Sequence, residues 1–128
     1  KTAAIVTDLG NYNQAIVDEL QGLDALLLEA NHDVKMLQMG PYPKHLKERI
    51  AGQNGHMCNR DTAEFLAQNM NEGLKNIWLC HLSKDNNHPE LAYKTVEFIL
   101  RSNGILVGKD VQLATLKRNT PSEFHEFE

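Results

Sequence analysis

The chain has 128 residues, and its 13 lysines and arginines against 17 aspartates and glutamates give a formal net charge of −4. This charge argues against a surface that coats nucleic acid broadly, although a local phosphate-binding patch stays compatible with it. The 41% hydrophobic and 23% charged content is ordinary for a globular protein. No apolar run approaches the roughly 20 residues of a membrane span, and the two cysteines form no disulfide framework. We therefore predict one domain over residues 1–128, in the cytoplasm and without a membrane partner.

Buried strands alternate with amphipathic helices along the sequence. The predicted strands, rich in β-branched and apolar residues, cover residues 2–8, 24–29, 76–80 and 110–116. The predicted helices cover residues 14–20, 44–51, 62–70 and 89–102, with a helical turn over 34–38 and a frayed tail from Asn119. Asn59 is the predicted N-cap of the third helix, and Pro89 opens the fourth. This alternation predicts a layered α/β domain.

The chain opens at Lys1 and enters a strand within two residues, where a domain usually has a lead-in. This start predicts that the chain is part of a longer protein whose N-terminal portion is missing.

Titratable side chains stand at the ends of three predicted strands and in one polar loop. They are Asp8 after the first strand, Glu29, His32 and Asp33 at the end of the second, His81 after the third, and His56 in the loop before the third helix. An aspartate after a strand is usually a turn or a helix cap, and a single histidine is usually a core or surface group. Because ligands bind at the carboxyl ends of strands in an open α/β sheet, the combination predicts a site there.

The residue types at these positions are those of a metal-dependent hydrolase. Catalytic zinc sites use imidazole nitrogens and carboxylate oxygens and keep one position open. Two-metal hydrolases also need a bridging carboxylate and a proton donor for the leaving oxygen. The sequence supplies Asp8 as the bridging carboxylate and His81 as a terminal imidazole, but it contains no HxHxDH or HExxH motif.

Four short motifs follow one another in an order that resembles the C-terminal half of a metallo-β-lactamase-fold hydrolase. They are Thr7-Asp8-Leu9-Gly10, Glu29-Ala30-Asn31-His32-Asp33, Gly55-His56-Met57-Cys58-Asn59, and His81-Leu82-Ser83 with Asn86-Asn87. With Gly40-Pro41-Tyr42-Pro43 between them, they resemble the WalJ (YycJ)-like branch, described as metal-dependent DNA exonucleases and similar to ribonuclease Z in this half. The resemblance implies an α/β fold, the C-terminal half of a metallo-β-lactamase-type αββα sandwich. It also implies that the His-x-His-x-Asp-His cluster belongs to an N-terminal half that this chain lacks.

The resemblance implies a role for each residue of the site. Asp8 would bridge two metal ions, and His81 would be the last histidine ligand. Glu29 would orient His56 as the proton donor, since a carboxylate on one ring nitrogen fixes the tautomer and raises the basicity of the imidazole.

Further residues would contact the substrate. His32 and Asp33 would line the site, with His32 at the scissile phosphate. Asn86 and Asn87 would donate to phosphate oxygens, and Lys47, on the basic second helix, would contact the phosphate backbone. Two alternatives stay open, because Asn87 also suits a helix cap and a basic helix face is usually just solvated.

The leading hypothesis is a metal-dependent phosphodiesterase or nuclease that uses a metal-bound hydroxide. Two divalent ions are expected in the intact protein, either Zn, Mn or Fe, and the expected substrate is nucleic acid, DNA ahead of RNA. One alternative is hydrolysis of another ester or amide, since a fold does not fix its substrate. The other is an inert fragment, whose sheet face, uncovered by the missing half, is expected to cause self-association.

Overall fold

The structure is a computed structural model that describes residues 3–6, 22–52 and 55–116. Four strands and four helices follow in chain order within these ranges: β1 Ala3–Val6, β2 Ala25–Glu29, α1 Val34–Met39, α2 Lys44–Ala51, α3 Asn59–Asn69, β3 Asn76–Cys80, α4 Pro89–Ser102 and β4 Gln112–Thr115. The predicted helix over 14–20 and the predicted tail lie outside the described residues. Among the helices that the structure describes, none combines the length and apolar character that a membrane crossing requires.

The four strands form one parallel sheet in the order β1-β2-β3-β4. Side chains alternate between the two faces of a strand, and the register sets Leu26 opposite Ile77 and Leu28 opposite Leu79. These four side chains therefore make one continuous apolar face. The same register sets Glu29 opposite Cys80, so the two central strands end side by side.

Helices α3 and α4 pack against each other and bury this apolar face. The core side chains that they contribute are Ala63, Phe65, Leu66, Ala92, Val96 and Leu100. A parallel sheet in which helices join β2 to β3 and β3 to β4 confirms the predicted α/β class. The assignment of residues 1–128 to a single domain stays a prediction.

The start of α3 differs from the prediction. Asn59 is the first residue of the helix rather than its N-cap. The cap is Cys58, whose Sγ accepts a hydrogen bond from the N–H of Asp61 at 3.4 Å. The amide of Asn59 is buried and exchanges two hydrogen bonds with Asn87, at 2.8 and 2.9 Å, so it is not available to cap the helix.

Candidate active site

The carboxylate of Glu29 holds two histidine rings at the carboxyl edge of the sheet. Glu29 is the last residue of β2 and is 1% exposed. Its Oε2 lies 2.8 Å from Nδ1 of His56, in the loop between α2 and α3, and also contacts Nδ1 of His81, directly after β3. The two ring centroids are 5.2 Å apart. One buried acceptor thus joins residues that are 27 and 52 positions away along the chain.

These contacts determine the tautomer of both rings. With Glu29 Oε2 as the shared acceptor of both contacts, each Nδ1 carries the proton. In the neutral form of each ring, the lone pair then lies on Nε2, where it can bind a metal ion or accept a proton. His56 and His81 are 30% and 46% exposed, so this buried carboxylate orients two rings that solvent and ligands can reach.

His81 adopts an unusual backbone conformation at the end of β3. Its φ of 56° lies in the left-handed region, which glycine adopts freely and other residues rarely. The Asn31 amide supports this turn, because its Nδ2 donates to the carbonyl of His81 at 3.1 Å. The carbonyl of Asn31 accepts from the N–H of Ser83 at 2.7 Å. Asn31 therefore fixes the loop that presents the His81 ring.

The same edge is tied to α3 and to the loop before α4 by buried side-chain hydrogen bonds. Thr62 Oγ1 donates to the carbonyl of Glu29 at 2.7 Å. Asn87 Nδ2 donates to the carbonyl of Ala30 at 2.8 Å, in addition to its pair of bonds with Asn59. Since such groups are costly to leave unpaired, the network holds the end of β2 in one position.

The two histidines line an open cleft of about 530 Å³. This volume lies within the roughly 300–1,000 Å³ of small-molecule sites. The other lining residues are Asn31, Tyr42, Ile50, Leu82, Ser83, Lys84 and Asp85. Ser83 belongs to the fourth of the motifs singled out in the sequence, but Asn31 and Tyr42 were not predicted to be parts of the site. Tyr42 was recognisable only as the middle of a Pro-Tyr-Pro connector.

The donor set fits a divalent metal ion. Each of Glu29, His56 and His81 could offer one ligand atom, and these atoms lie within 4.8 Å of one another. While both Nδ1 atoms donate to Glu29, the rings can bind an ion only through Nε2. Carboxylate oxygen and imidazole nitrogen are the ligands that catalytic zinc sites use. In addition, Glu29 Oε1 is buried and has no hydrogen-bond partner within the described part of the chain, so a cation nearby would satisfy it.

His32 and Asp33 lie beside the cluster and have other contacts. The His32 side chain is 2% exposed, and its Nδ1 lies 3.2 Å from Asn31 Oδ1. Burial, followed by the nearby His56, lowers the pKa of His32, so its ring is neutral near pH 7. Asp33 is the N-cap of α1, where its Oδ2 accepts from the N–H of Met36 at 3.0 Å.

The residues that were predicted to contact phosphate make other contacts in the structure. Asn86 and Asn87 are buried, and Lys47 Nζ donates to the carbonyl of Gln38 at 2.7 Å. Asn87 accepts from the N–H of His88 at 2.9 Å, while His88 itself is the N-cap of α4. The substrate roles of these residues stay predictions. Asp8 lies outside the described residues.

Both cysteines are thiols rather than thiolates in this fold. Burial, and after it the carboxylate of Glu29, raises the pKa of Cys80 to about 11. Burial also raises the pKa of Cys58, whose sulfur caps α3. A thiol is a poor nucleophile, so neither group is suited to attack a substrate at neutral pH.

The chain is similar to curated bacterial proteins over nearly its whole length. It is 38% identical over 120 residues to exodeoxyribonuclease YycJ of Bacillus anthracis, covering 94% of this chain and 46% of that protein. It is 35% identical over 126 residues to exodeoxyribonuclease WalJ of Streptococcus pneumoniae, covering 98% of this chain and 47% of that protein. The chain thus spans about half the length of the curated relatives it matches. No model of a known protein family matches it.

Among solved structures, the chain resembles a crystal structure of a new diphosphatase from the PhnP family. The TM-score is 0.47 and the identity is 20%, over 88% of this chain and 32% of that one.

The resemblance to metallo-β-lactamase-fold hydrolases implies an α/β fold, which the structure has, and the carboxyl edge of its sheet carries residue types that could hold a metal ion. The relatives confirm the branch as well. This chain is homologous to about half of a WalJ (YycJ)-like protein.

Proposed function

We propose that the protein carrying this chain is a metal-dependent nuclease, which hydrolyses phosphodiester bonds in DNA ahead of RNA. The observation that carries the proposal is the buried Glu29 carboxylate, which holds His56 and His81 by their Nδ1 atoms. Proton transfer to a leaving group and metal ligation both need an imidazole held in one orientation. The preference for DNA rests on the names of the curated relatives, which are exodeoxyribonucleases.

In this proposal, Glu29 positions the two rings and His81 is a metal ligand. Metal-ligating histidines commonly donate their second ring N–H to a carboxylate, as His81 does here. Its Nε2 would hold an ion together with Asp8, the residue predicted at the end of the first strand. When bound, the ion would polarise a phosphoryl oxygen and offset the charge that develops on it. Two ions, drawn from Zn, Mn and Fe, are proposed for the intact protein.

The proposed general acid is His56. Its ring reaches the cleft, and the hydrogen bond from Nδ1 to Glu29 Oε2 at 2.8 Å holds the ring in one orientation. Transfer of the Nε2 proton to the leaving oxygen would let it depart as an alcohol rather than as an alkoxide. A positioned acid of this kind contributes roughly 10²–10⁴-fold to the rate. Loss of the Nε2 proton would leave the ring as the Nδ1–H tautomer bonded to Glu29, and solvent would return a proton to Nε2 before the next turnover.

The test measures metal content and oligonucleotide hydrolysis on the protein in its full natural length. We expect about two divalent ions per chain. We expect His56→Ala to keep the metal and lose roughly 10²–10⁴-fold in kcat, and His81→Ala and Asp8→Ala to lose both metal and activity. The matched control is His45→Ala, which removes an exposed histidine of α2 outside the cleft.

Two outcomes would overturn the proposal. One is full nuclease activity in His56→Ala and Asp8→Ala. The other is hydrolysis of a thioester or a lactam by a protein that leaves DNA and RNA intact, which would point to the alternative chemistry of this fold.

A further inference from the structure

Tyr42 lies in the same cleft as the two histidines, although the proposed reaction assigns it no role. It belongs to the connector between α1 and α2 and lines the cleft with His56 and His81. The loop after β3 lines the same cleft next to Tyr42 and contributes Lys84 and Asp85 to it. An aromatic ring therefore stands beside the candidate chemistry in a space large enough for a nucleotide.

Three features fix the position of this ring. The Tyr42 hydroxyl donates to Asp85 Oδ2 at 3.0 Å, which joins two loops that are 43 residues apart in sequence. Prolines on both sides of Tyr42 restrict the backbone φ of the connector. The connector also lies close to the loop after β3, because a Cβ added at Gly40 would stand 3.1 Å from Asn86 Oδ1. A ring held in this way loses little conformational freedom when a ligand binds.

The charges around Tyr42 favour a flat uncharged group over a phosphate. Asp85 carries its carboxylate at the phenol oxygen, and a carboxylate repels a phosphate placed next to it. Lys84, the neighbouring residue in the same wall, offers the opposite charge. A nucleobase over the ring, with its backbone towards Lys84, satisfies both conditions, and every base has a π-face that can stack.

We propose that Tyr42 is the platform on which a nucleobase next to the scissile phosphate stacks. This inference rests on the proposed nuclease function and adds a specificity residue to it. Stacking needs an unpaired base, so the preferred substrate is a single strand or a frayed end. The simpler alternative is a brace, in which the Tyr42–Asp85 bond only joins the two loops.

Binding to the metal-free protein tests the platform without hydrolysis. The probe is a short single-stranded DNA with 2-aminopurine at one end, read by fluorescence quenching and by its Kd. Loss of one aromatic–base stack weakens binding by roughly 5- to 150-fold. We expect Tyr42→Ala to show this loss and Tyr42→Phe, which keeps the ring without the hydroxyl, to stay near the natural affinity. Phe98→Ala, which removes an aromatic side chain that is 60% exposed on α4, is the control.

Abasic strands separate the platform from the brace. One end of the strand lies in the site. If the terminal nucleotide at that end is abasic, Tyr42→Ala and the natural protein should bind the strand with equal affinity. Two results would overturn the platform and leave the brace. One is an equal loss of affinity in Tyr42→Ala and Tyr42→Phe. The other is a loss of affinity in Tyr42→Ala that is seen both on strands abasic at the 5′ end and on strands abasic at the 3′ end. A thermal melt of each variant identifies unfolding.

The same measurements separate this inference from the proposed function. Tyr42-dependent binding by a protein that never hydrolyses the strand would leave the platform standing and reject the nuclease. If Tyr42→Ala hydrolyses and binds the strand as well as the natural protein does, the platform alone is rejected. A protein that neither binds nor hydrolyses the strand would reject both the platform and the nuclease function.

Discussion

Replacing Glu29 by glutamine tests the centre of the site with the smallest change in shape. The carboxylate oxygen Oε2 accepts from two ring N–H groups. An amide of the same size can keep its one oxygen at the Oε2 position, but its NH₂ group then occupies the buried Oε1 position, and the charge of the acceptor is lost. Both ring N–H groups therefore bond to a neutral acceptor in place of a charged one. A hydrogen bond to a charged group contributes about 1.5–3 kcal/mol, equivalent to roughly 10- to 150-fold.

We expect Glu29→Gln to lower kcat/KM by at least about tenfold and to weaken metal binding by roughly 10- to 100-fold, the usual cost of losing a partner of a metal ligand. The assay follows hydrolysis of single-stranded DNA and titrates the metal against a chelating dye, with circular dichroism to confirm folding. The control is Glu64→Gln, which removes an exposed partner of Arg60 and should change neither quantity. A Glu29→Gln protein within threefold of the natural one in both measurements would refute the positioning role of this carboxylate.

Three further changes test the surroundings of the site. Asn87→Ala leaves the buried amide of Asn59 without its partner, and urea unfolding should show a loss of about 2–4 kcal/mol; a loss under 1 kcal/mol would contradict the network. The pKa of His32 is lowered below its usual 6.5, so the unfolded chain binds a proton that the folded chain does not. Stability should therefore fall as the pH drops below about 6.5, and His32→Gln should reduce that slope; an unchanged slope would contradict the assignment. Gly40→Ala places a Cβ 2.9 Å from the carbonyl of Met36 and should cost about 1–3 kcal/mol in the same unfolding assay, whereas a neutral change would show that the turn has room.

Much of the fold was predictable because each element carries a local signal. The apolar runs that end at Glu29 and at Cys80 indicated two buried strands, and both are present at nearly the predicted bounds. Pro89 was expected at the first position of its helix, where the missing N–H costs nothing, and the structure confirms it. The cap of α3 was the exception, since a thiol is a weak acceptor and Asn59 looked better suited. The deciding contact, with Asn87, is 28 residues away.

The candidate site was predictable in its location and only partly in its contacts. Strand ends of a parallel sheet meet at one edge, which brought Glu29 and His81 together as expected. No local sequence pattern predicts that one oxygen of Glu29 accepts hydrogen bonds from both His56 and His81, because these contacts depend on how separate loops pack. Competition from local hydrogen bonds explains the placement of Asp33, which caps α1 as an aspartate before a helix commonly does. That signal was present in the sequence.

The left-handed turn at His81 has a consequence for anyone who engineers this protein. A non-glycine residue in that conformation costs roughly 1–2 kcal/mol, and glycine removes the cost. A library screened for heat resistance should therefore enrich glycine at this position, and, given the metal-binding role proposed for His81, the most heat-resistant variants would be those that have lost turnover. Design methods that fill a backbone by shape alone would make the same choice. Screening on heat and on substrate conversion together is the way to avoid it.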